Sequence, residues 1–288
     1  MDFILIQALN GLAYSLLLFL LAAGLSIIFG MMDVINLAHG SFYMLGAYAG
    51  YSVWRLTQDF WLALLVAPLV VAVAGFAVER ALIRPLAGRG HLDQVLLTFG
   101  LALIVADLVR AVPGWGGDVR SLPPPPGLEG SVAIGASAYP VYRLFAIGAG
   151  FSLALALGLL LTRTRIGAIV RAGVADAQMV GALGINISLI FSLVFAAGAA
   201  LAALGGVLTA PIVSLKPGMD SETLIAALIV VVVGGLGTLR GAFWGSLLIG
   251  EADNFGRAFF PDYALFSIYV VMAAVLLLRP SGLFGRKA

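Results

Sequence analysis

The sequence predicts an all-α polytopic membrane protein, and its composition and the length of its apolar runs lead to this prediction. Hydrophobic residues make up 62% and charged residues 10% of the 288 positions, far from the balance of a soluble domain. Apolar runs of about 17–25 residues recur from end to end, the length that an α-helix needs to cross a bilayer. The short alternating strands of a membrane β-barrel do not occur.

The apolar runs divide the chain into nine segments, all within a single transmembrane domain spanning 1–288. Two segments, 41–56 and 222–236, are short for a bilayer that is crossed at about 1.5 Å per residue. They are expected to be half-helices or re-entrant pieces, so the prediction is eight to ten membrane segments with short or broken helices. The segments are 6–30, 41–56, 61–79, 92–112, 140–162, 186–211, 222–236, 241–257 and 263–279.

The N-terminal run is interpreted as the first membrane helix. It has no basic region before its apolar stretch, and Asp2 has the wrong sign for a secretory signal.

Basic residues predict the orientation, because Arg and Lys collect in the cytoplasmic loops of membrane proteins. With nine alternating segments, the N-terminus of this multi-pass protein lies outside and the C-terminus lies in the cytoplasm. The longest outer loop, 113–139, contains Pro123–Pro126 and is expected to be a stiff surface connection. The loops assigned to the inside hold Arg80, Arg84, Arg89, Arg163, Arg165, Arg171, Arg240, Arg279, Arg286 and Lys287.

Several classes of function are disfavoured by what the sequence lacks. It has no cysteine and only two histidines, His39 and His91, so no metal site is expected. No nucleotide-binding G-x-x-x-x-G-K-[ST] and no hydrolase motif occurs, so we expect neither an enzyme nor a chain that binds ATP itself. The net charge of +2 is small and dispersed, which does not indicate nucleic acid.

Polar residues interrupt the apolar pattern at Gly30–Gly46. Asp33, Asn36 and His39 follow one another at i, i+3 and i+6, which predicts that one helical face presents all three. One interpretation is a broken helix that lines a transport path. The other is a cytoplasmic turn in which Asp33 and Asn36 cap helix ends.

Glycines recur at four-residue intervals in two places, and this spacing is typical of closely packed membrane helices. Such packing is predicted at Gly46, Gly50, Gly237, Gly241 and Gly245.

The stretch 163–186 is the one long polar and basic part of the chain. Its middle, Ala168–Leu183, is predicted to form a short helix along the membrane surface. Either lipid or a docked protein could cover its apolar face, and its small residues favour close docking of a protein.

The chain resembles the branched-chain amino acid type of ABC-transporter permease, the shorter of the two permease subunits. The resemblance is carried, in family order, by GLSIIFGMMDVINLAHGSFYMLGAYAG, ERALIRPLAGRG, GAIVRAGVADAQMVGALGIN, VVVVGGLGTLRGAFWGSLLIG and RPSGLFG. It implies that 163–186 is a cytoplasmic loop carrying a coupling helix that seats in an ATPase. The coupling residues would be Arg171, Asp176, Ala177, Met179, Gly181, Leu183, Gly184 and Asn186.

The resemblance also implies a translocation path beside the I-N-x-A-H-G signature, which here carries Leu37 where relatives often have an aromatic residue. The implied assembly lies in the bacterial inner (cell) membrane and has two permeases, two ATPases that bind ATP and Mg²⁺, and an outer substrate-binding protein. Import of branched-chain amino acids is expected; the alternatives are urea, short amides or aromatic acids, or transport without ATP. The path residues would be Asp33, Asn36, His39, Gly40, Ser41 and Tyr43.

Overall fold

A computed structural model describes residues 2–86, 88–116 and 119–285. The predicted inner residues Arg286 and Lys287 lie outside the described residues. Over that range the chain forms α1 (Asp2–Met32), α2 (His39–Thr57), α3 (Phe60–Val78), α4 (His91–Ala111), β1 (Ser131–Ile134), β2 (Ser137–Pro140), α5 (Val141–Arg163), α6 (Arg165–Ala175), α7 (Ala177–Ala182), α8 (Ile187–Thr209), α9 (Met219–Gly234), α10 (Leu239–Phe259) and α11 (Ala264–Leu278). A π-helical turn at Glu79–Ile83 and 3₁₀ turns at Arg84–Leu86 and Pro261–Tyr263 complete the helical structure.

The helical membrane architecture is confirmed, but the count of spanning segments is lower than predicted. In the described part of the chain, six helices are long and apolar enough to cross a bilayer, and the pair α9 and α10 adds a seventh if it counts as one span. That pair bends by 117°. The sequence prediction counted α9 and α10 as separate spans, and it counted α2, whose His39, Arg55 and tyrosines make it too polar to qualify alone.

Helix α1 is the centre of the bundle. Most of its length is buried, and it packs against α5, α8, α9 and α10. Around it, α2 and α3 pack on α8, while α4, α5 and α11 lie at the periphery with exposed apolar faces. The peripheral helices therefore present the surface that contacts lipid or another membrane subunit.

Long-range contacts define the two ends of the bundle. At one end, the backbone N–H of Ala136 donates to the Asp2 carboxylate (3.1 Å) and Arg120 pairs with Leu215 through backbone hydrogen bonds. We call this the hairpin end. At the other end, the Asp33 carboxylate lies 3.7 Å from the His91 ring, and Leu283 N–H donates to Val233 O (2.8 Å). We call it the arginine end, because Arg84, Arg89, Arg163, Arg165, Arg240 and Arg279 lie in the segments there.

The predicted outer loop 113–139 contains a β-hairpin that the sequence prediction missed. Strands β1 and β2 are antiparallel, with Ser131 opposite Pro140 and Ile134 opposite Ser137. Gly135 takes a positive φ of 59°, which suits the two-residue turn between the strands. Only four residues form each strand, which is too short a run for alternation to stand out.

Candidate translocation and coupling sites

The polypeptide leaves the helical conformation between α1 and α2. Helix α1 ends at Met32, and Asp33 adopts a positive φ of 53° while its N–H donates to Phe29 O (2.9 Å). The next helix begins at His39. The prediction that Asp33, Asn36 and His39 share one helical face is therefore wrong, because no helix runs through them.

The break carries the chain back into the protein. His39 is fully buried, and its Nε2 lies 3.1 Å from the carbonyl oxygen of Leu21. Leu21 precedes the end of α1 by eleven residues, about 16 Å along the helix axis. Helix α2 therefore starts well inside the bundle, and the segment 33–38 covers the intervening depth without being helical.

Thr98 of α4 holds this non-helical segment in place. The backbone N–H of Leu37 donates to Thr98 Oγ1 (3.1 Å), and the Thr98 hydroxyl lies 3.4 Å from Ile35 O. Asn36 contributes from within the segment, since its Oδ1 accepts from the N–H of Ala38 (3.1 Å). These bonds satisfy backbone groups that would be costly to leave unpaired at membrane depth.

Two buried side chains of the break keep unused hydrogen-bonding atoms. Within the described chain, Asn36 Nδ2 and His39 Nδ1 have no partner. Because the Leu21 carbonyl can only accept, His39 Nε2 must be the protonated nitrogen, and Nδ1 of the neutral ring is then a free acceptor. Asp33, in contrast, is exposed at the arginine end beside His91.

The start of α2 meets the start of α9. A Cβ added at Gly40 would lie 2.3 Å from the backbone oxygen of Asp220, so the two chains touch there. The Ser41 hydroxyl donates to the Asp220 carboxylate (3.3 Å), and both residues are buried. We call this contact, Gly40 and Ser41 against Asp220, the α2–α9 junction.

Polar groups surround the junction towards the hairpin end. Tyr43, one turn beyond Gly40, is buried, and the side chains of Thr209 and Thr223 lie near its hydroxyl. Lys216 pairs with Glu222 (2.8 Å). Asp220 has no ion-pair partner among the residues that the structure describes, so Ser41 supplies its polar contact from another helix.

The five glycines predicted to pack helices all lie against neighbouring chain. Gly46 faces Ala203 and Gly50 faces Val207, both on α8. Gly241 and Gly245 of α10 face the backbone of α9. The prediction that Gly237 lies on the same helix as these two is wrong. Gly237 lies in the α9–α10 break with a φ of 73° and contacts Gly30.

The polar stretch 163–186 forms two helices, α6 and α7. The prediction of a single surface helix over Ala168–Leu183 is therefore wrong. Asp176 separates them: it takes an extended conformation, and its carboxylate accepts from the N–H of Met179 (2.9 Å). Asp176 is thus the N-cap of α7, a role that is typical of aspartate. Asn186 caps α8 in the same way through Leu189 N–H (3.0 Å).

Helix α6 is anchored to the bundle by its apolar side. Val170 belongs to a buried cluster with Met31 and Val194, at the arginine ends of α1 and α8. A Cβ on Gly173 would lie 2.9 Å from the Met31 methyl group, so α6 and α1 are in close contact. Arg171 lies on the exposed side.

Helix α7 projects from this base. Only Val180 is buried in it, whereas Met179 is 59% and Leu183, its C-cap, 74% exposed. Gly181 and Gly184 have open space where a Cβ would stand, and Gly184 has a positive φ of 83°. The result is a small apolar projection on an anchored base. We call α6, α7 and residues 183–186 the coupling segment, after the role that the family resemblance implies for it.

Sequence reasoning missed Asp220, Thr98 and Glu79. Glu79 is buried in the π-helical turn and accepts from the Ser192 hydroxyl of α8. Each is a polar residue within or beside an apolar run, and that is the signal that could have singled them out.

These features define a class of protein: a multi-pass helical membrane protein with broken helices that meet in its interior and a coupling segment exposed at one end. Broken helices inside a membrane protein are typical of transporters. The chain matches the family profile described as branched-chain amino acid transport system, permease component, over residues 7–276. The chain belongs to this family of transport permeases, and it is not an enzyme.

Relatives with descriptions of this kind match along nearly the whole chain. The high-affinity branched-chain amino acid transport system permease protein BraD of Pseudomonas aeruginosa is 32% identical over 97% of this chain and 95% of that protein. The corresponding protein LivH of Escherichia coli K12 is 28% identical over the same shares. A probable branched-chain amino acid transport permease protein LivH of Methanocaldococcus jannaschii is 25% identical over 96% of this chain and 91% of that protein.

Among solved structures, a chain described as PsaBC from Streptococcus pneumoniae in complex with Fab aligns with a TM-score of 0.48 and 14% identity. The alignment covers 93% of this chain and 89% of that one.

Proposed function

We propose that this chain is the permease subunit of an ATP-driven importer that moves branched-chain or related amino acids across the cell membrane. The chain binds no nucleotide itself; two partner ATPases bind ATP and Mg²⁺ at its cytoplasmic side. A second, homologous permease completes the membrane part, and a binding protein delivers substrate from outside. Family membership and near full-length similarity to BraD and LivH support the transport role.

The exposed coupling segment is the observation that carries the ATP-driven mechanism. Met179 and Leu183 project from α7 into open space, while α6 is fixed to α1 and α8 through Val170 and Gly173. An apolar projection on a fixed base can fit a groove in a partner and transmit its displacement to the bundle. ATP drives the change of state because it favours one conformation of the partner over the other.

The arginine end is assigned to the cytoplasm in this proposal. Arg84, Arg89, Arg163, Arg165, Arg240 and Arg279 lie there, and excess Arg and Lys in short loops favour the cytoplasmic side. The C-terminal segment pairs with the end of α9 at the same end. The coupling segment and the C-terminal segment are therefore both cytoplasmic, and the β-hairpin is outside.

The α2–α9 junction is the proposed gate of the path. Two helices begin inside the bundle at this point, and Gly40 lets them touch. Asp220 and Ser41 place a carboxylate and a hydroxyl at the contact, and Tyr43 continues this polar region towards the hairpin end. Asn36 and His39 support the non-helical segment below it.

An acid at the gate favours a substrate that carries an ammonium group. An amino acid supplies that charge, and Asp220 has no basic partner among the described side chains to compete with it. Urea and short amides are neutral, so the acid gives them no comparable attraction. Branched-chain amino acids are therefore the proposed substrates, ahead of the neutral compounds.

Reconstitution tests the proposal directly. The chain would be purified with its co-expressed partner permease and ATPases, placed in proteoliposomes, and supplied with labelled leucine and the binding protein. With leucine and the binding protein outside, ATP enclosed in the vesicle should drive uptake, and an ATPase-inactive partner should abolish it. Uptake that continues without ATP hydrolysis would instead show a secondary transporter or channel.

A further inference from the structure

A groove on the outer surface of the bundle, bordered in part by α10, lies outside the proposed path. Near the arginine end, α1, α5 and α10 leave a groove of about 330 Å³ between them. Its walls are aromatic and aliphatic, with Phe19 at its floor and Phe151, Leu155 and Trp244 at its open side. These last three side chains are 42%, 64% and 53% exposed, so the groove opens away from the bundle.

The groove has a direction. Helix α5 runs towards the arginine end and α10 starts from it, so Phe151 and Phe243 mark the deep end and Gly158 and Arg240 the end near the membrane surface. Phe151 and Gly158 are seven residues apart, about 10 Å along the helix. That length fits within the hydrocarbon depth of one leaflet, about 15 Å.

Arg240 gives the groove a charged end. The guanidinium is exposed, and none of the described residues provides it with an ion pair or a hydrogen bond. Arginine is suited to phosphate because its planar group can donate two parallel hydrogen bonds. Basic pockets between membrane helices on the cytoplasmic side are known to bind anionic lipid headgroups.

The groove between α10 and α11 at the hairpin end is an internal contrast. It is similar in size, about 400 Å³, and is also lined by aromatic residues such as Phe255, Phe259 and Phe266. No basic side chain lines it. An acyl chain could enter either groove, but only the groove near the arginine end offers a partner for an anionic headgroup.

We propose that the groove between α1, α5 and α10 binds one anionic phospholipid, with an acyl chain along Phe151–Gly158 and its phosphate on Arg240. Gly158 is essential to this site because a Cβ there would meet open space, so the chain can lie directly against the α5 backbone. The site is independent of the path and the coupling segment.

The test compares lipid retention by the purified permease complex. The complex would be equilibrated in nanodiscs that hold equal amounts of phosphatidylglycerol and phosphatidylethanolamine with identical acyl chains, then transferred to mild detergent. Native mass spectrometry counts the retained lipids. Wild type should retain phosphatidylglycerol with an enrichment of about ten-fold, because the ammonium group of phosphatidylethanolamine offsets the phosphate charge that Arg240 attracts.

Two variants and two controls separate the headgroup from the acyl chain. Arg240→Gln should remove the enrichment while lipid is still retained, and Gly158→Trp should remove the retained lipid. Arg89→Gln changes an exposed arginine outside the groove, and Val270→Trp fills the groove at the hairpin end. Neither control should alter the enrichment.

Three results would each overturn the site. They are equal retention of both lipids by wild type, enrichment that survives Arg240→Gln, and lipid retention that survives Gly158→Trp. A photo-crosslinker at Leu155 adds an independent check, since capture of the second permease there would show that protein covers the groove.

Discussion

Glycine has opposite surroundings in the α2–α9 junction and in the coupling segment. At Gly40 a Cβ would lie 2.3 Å from the Asp220 backbone oxygen, whereas a Cβ at Gly181 would meet open space. Gly40 lets two parts of this chain touch, so its contact needs no partner subunit. Gly181 leaves space that this subunit does not fill, which is what a surface for a partner requires. Substitutions should therefore damage folding at one region and assembly at the other.

The largest expected effect is Gly40→Val at the junction. The added carbons would displace the start of α9 from α2, with a destabilisation of roughly 3 kcal/mol or more, as in severe overpacking. Fluorescence-detected size-exclusion chromatography should show a loss of monodisperse protein. Gly100→Val on α4 is the matched control, because a Cβ at that position would meet open space. A normal elution profile for Gly40→Val would contradict the close contact.

Gly181→Trp should leave the subunit folded and abolish its coupling. The indole enters open space in the free chain but occupies the volume that a docked ATPase needs. Recovery of the permease should be unchanged, while co-purification of the ATPase falls more than ten-fold, the effect of a loss of about 1.4 kcal/mol or more.

Gly88→Trp is the control for that experiment. Gly88 is exposed in another segment at the arginine end, and a Cβ there would also meet open space. Normal ATPase recovery with Gly181→Trp would mean that the partner does not bind α7.

Asp220→Asn should slow amino-acid uptake without loss of folded protein. The amide oxygen can still accept from Ser41, so the contact with α2 remains, but the negative charge is gone. Uptake of labelled leucine should fall several-fold, and Asp262→Asn, an exposed acid beyond α10, should leave it unchanged. Equal uptake by Asp220→Asn and wild type would remove the proposed attraction for the ammonium group.

Asp176→Ala should have a smaller, structural effect. It removes the cap of α7, at a cost of about 1 kcal/mol, whereas Asp176→Asn retains a capping oxygen and should be close to neutral. ATP-dependent uptake should follow the same order. Asp176→Lys also removes the cap, so loss of coupling in that variant would not by itself show that Asp176 contacts the ATPase.

The smallest expected effect is at the surface of α4. Asp107 and Arg110, three residues apart on α4, form an ion pair at 2.9 Å with both side chains exposed. Such pairs contribute about 0–1 kcal/mol. Asp107→Asn should change neither the thermal stability of the purified subunit nor its uptake.

Local chemistry allowed much of this architecture to be predicted. The apolar runs predicted the helical membrane fold, and the polar stretch before α8 predicted a separate element at one end. The capping role of Asp176 was also readable in principle, because aspartate before a helical stretch is a start signal. Because Asp176 was not considered as a start signal, one helix was predicted where α6 and α7 occur.

The α2–α9 junction could not be predicted in this way. Ser41 and Asp220 are 179 positions apart, and no periodicity within either helix specifies which helix will lie beside it. The same reason explains why Thr98 was missed as the support of the segment 33–38. Gly237 lies in the break where α9 and α10 bend by 117°. The four-residue glycine spacing did not indicate this break, so Gly237 was predicted on the same helix as Gly241 and Gly245.

Photo-crosslinking from the coupling segment tests the central claim most directly. A photoreactive residue would replace Met179 or Leu183 in the intact complex within membranes, with the same residue at Leu155 on the peripheral face of α5 as the comparison. The account predicts that Met179 and Leu183 capture a cytoplasmic ATPase subunit and that Leu155 does not. Capture of the external binding protein by Met179 or Leu183, or failure of both to capture an ATPase, would contradict it.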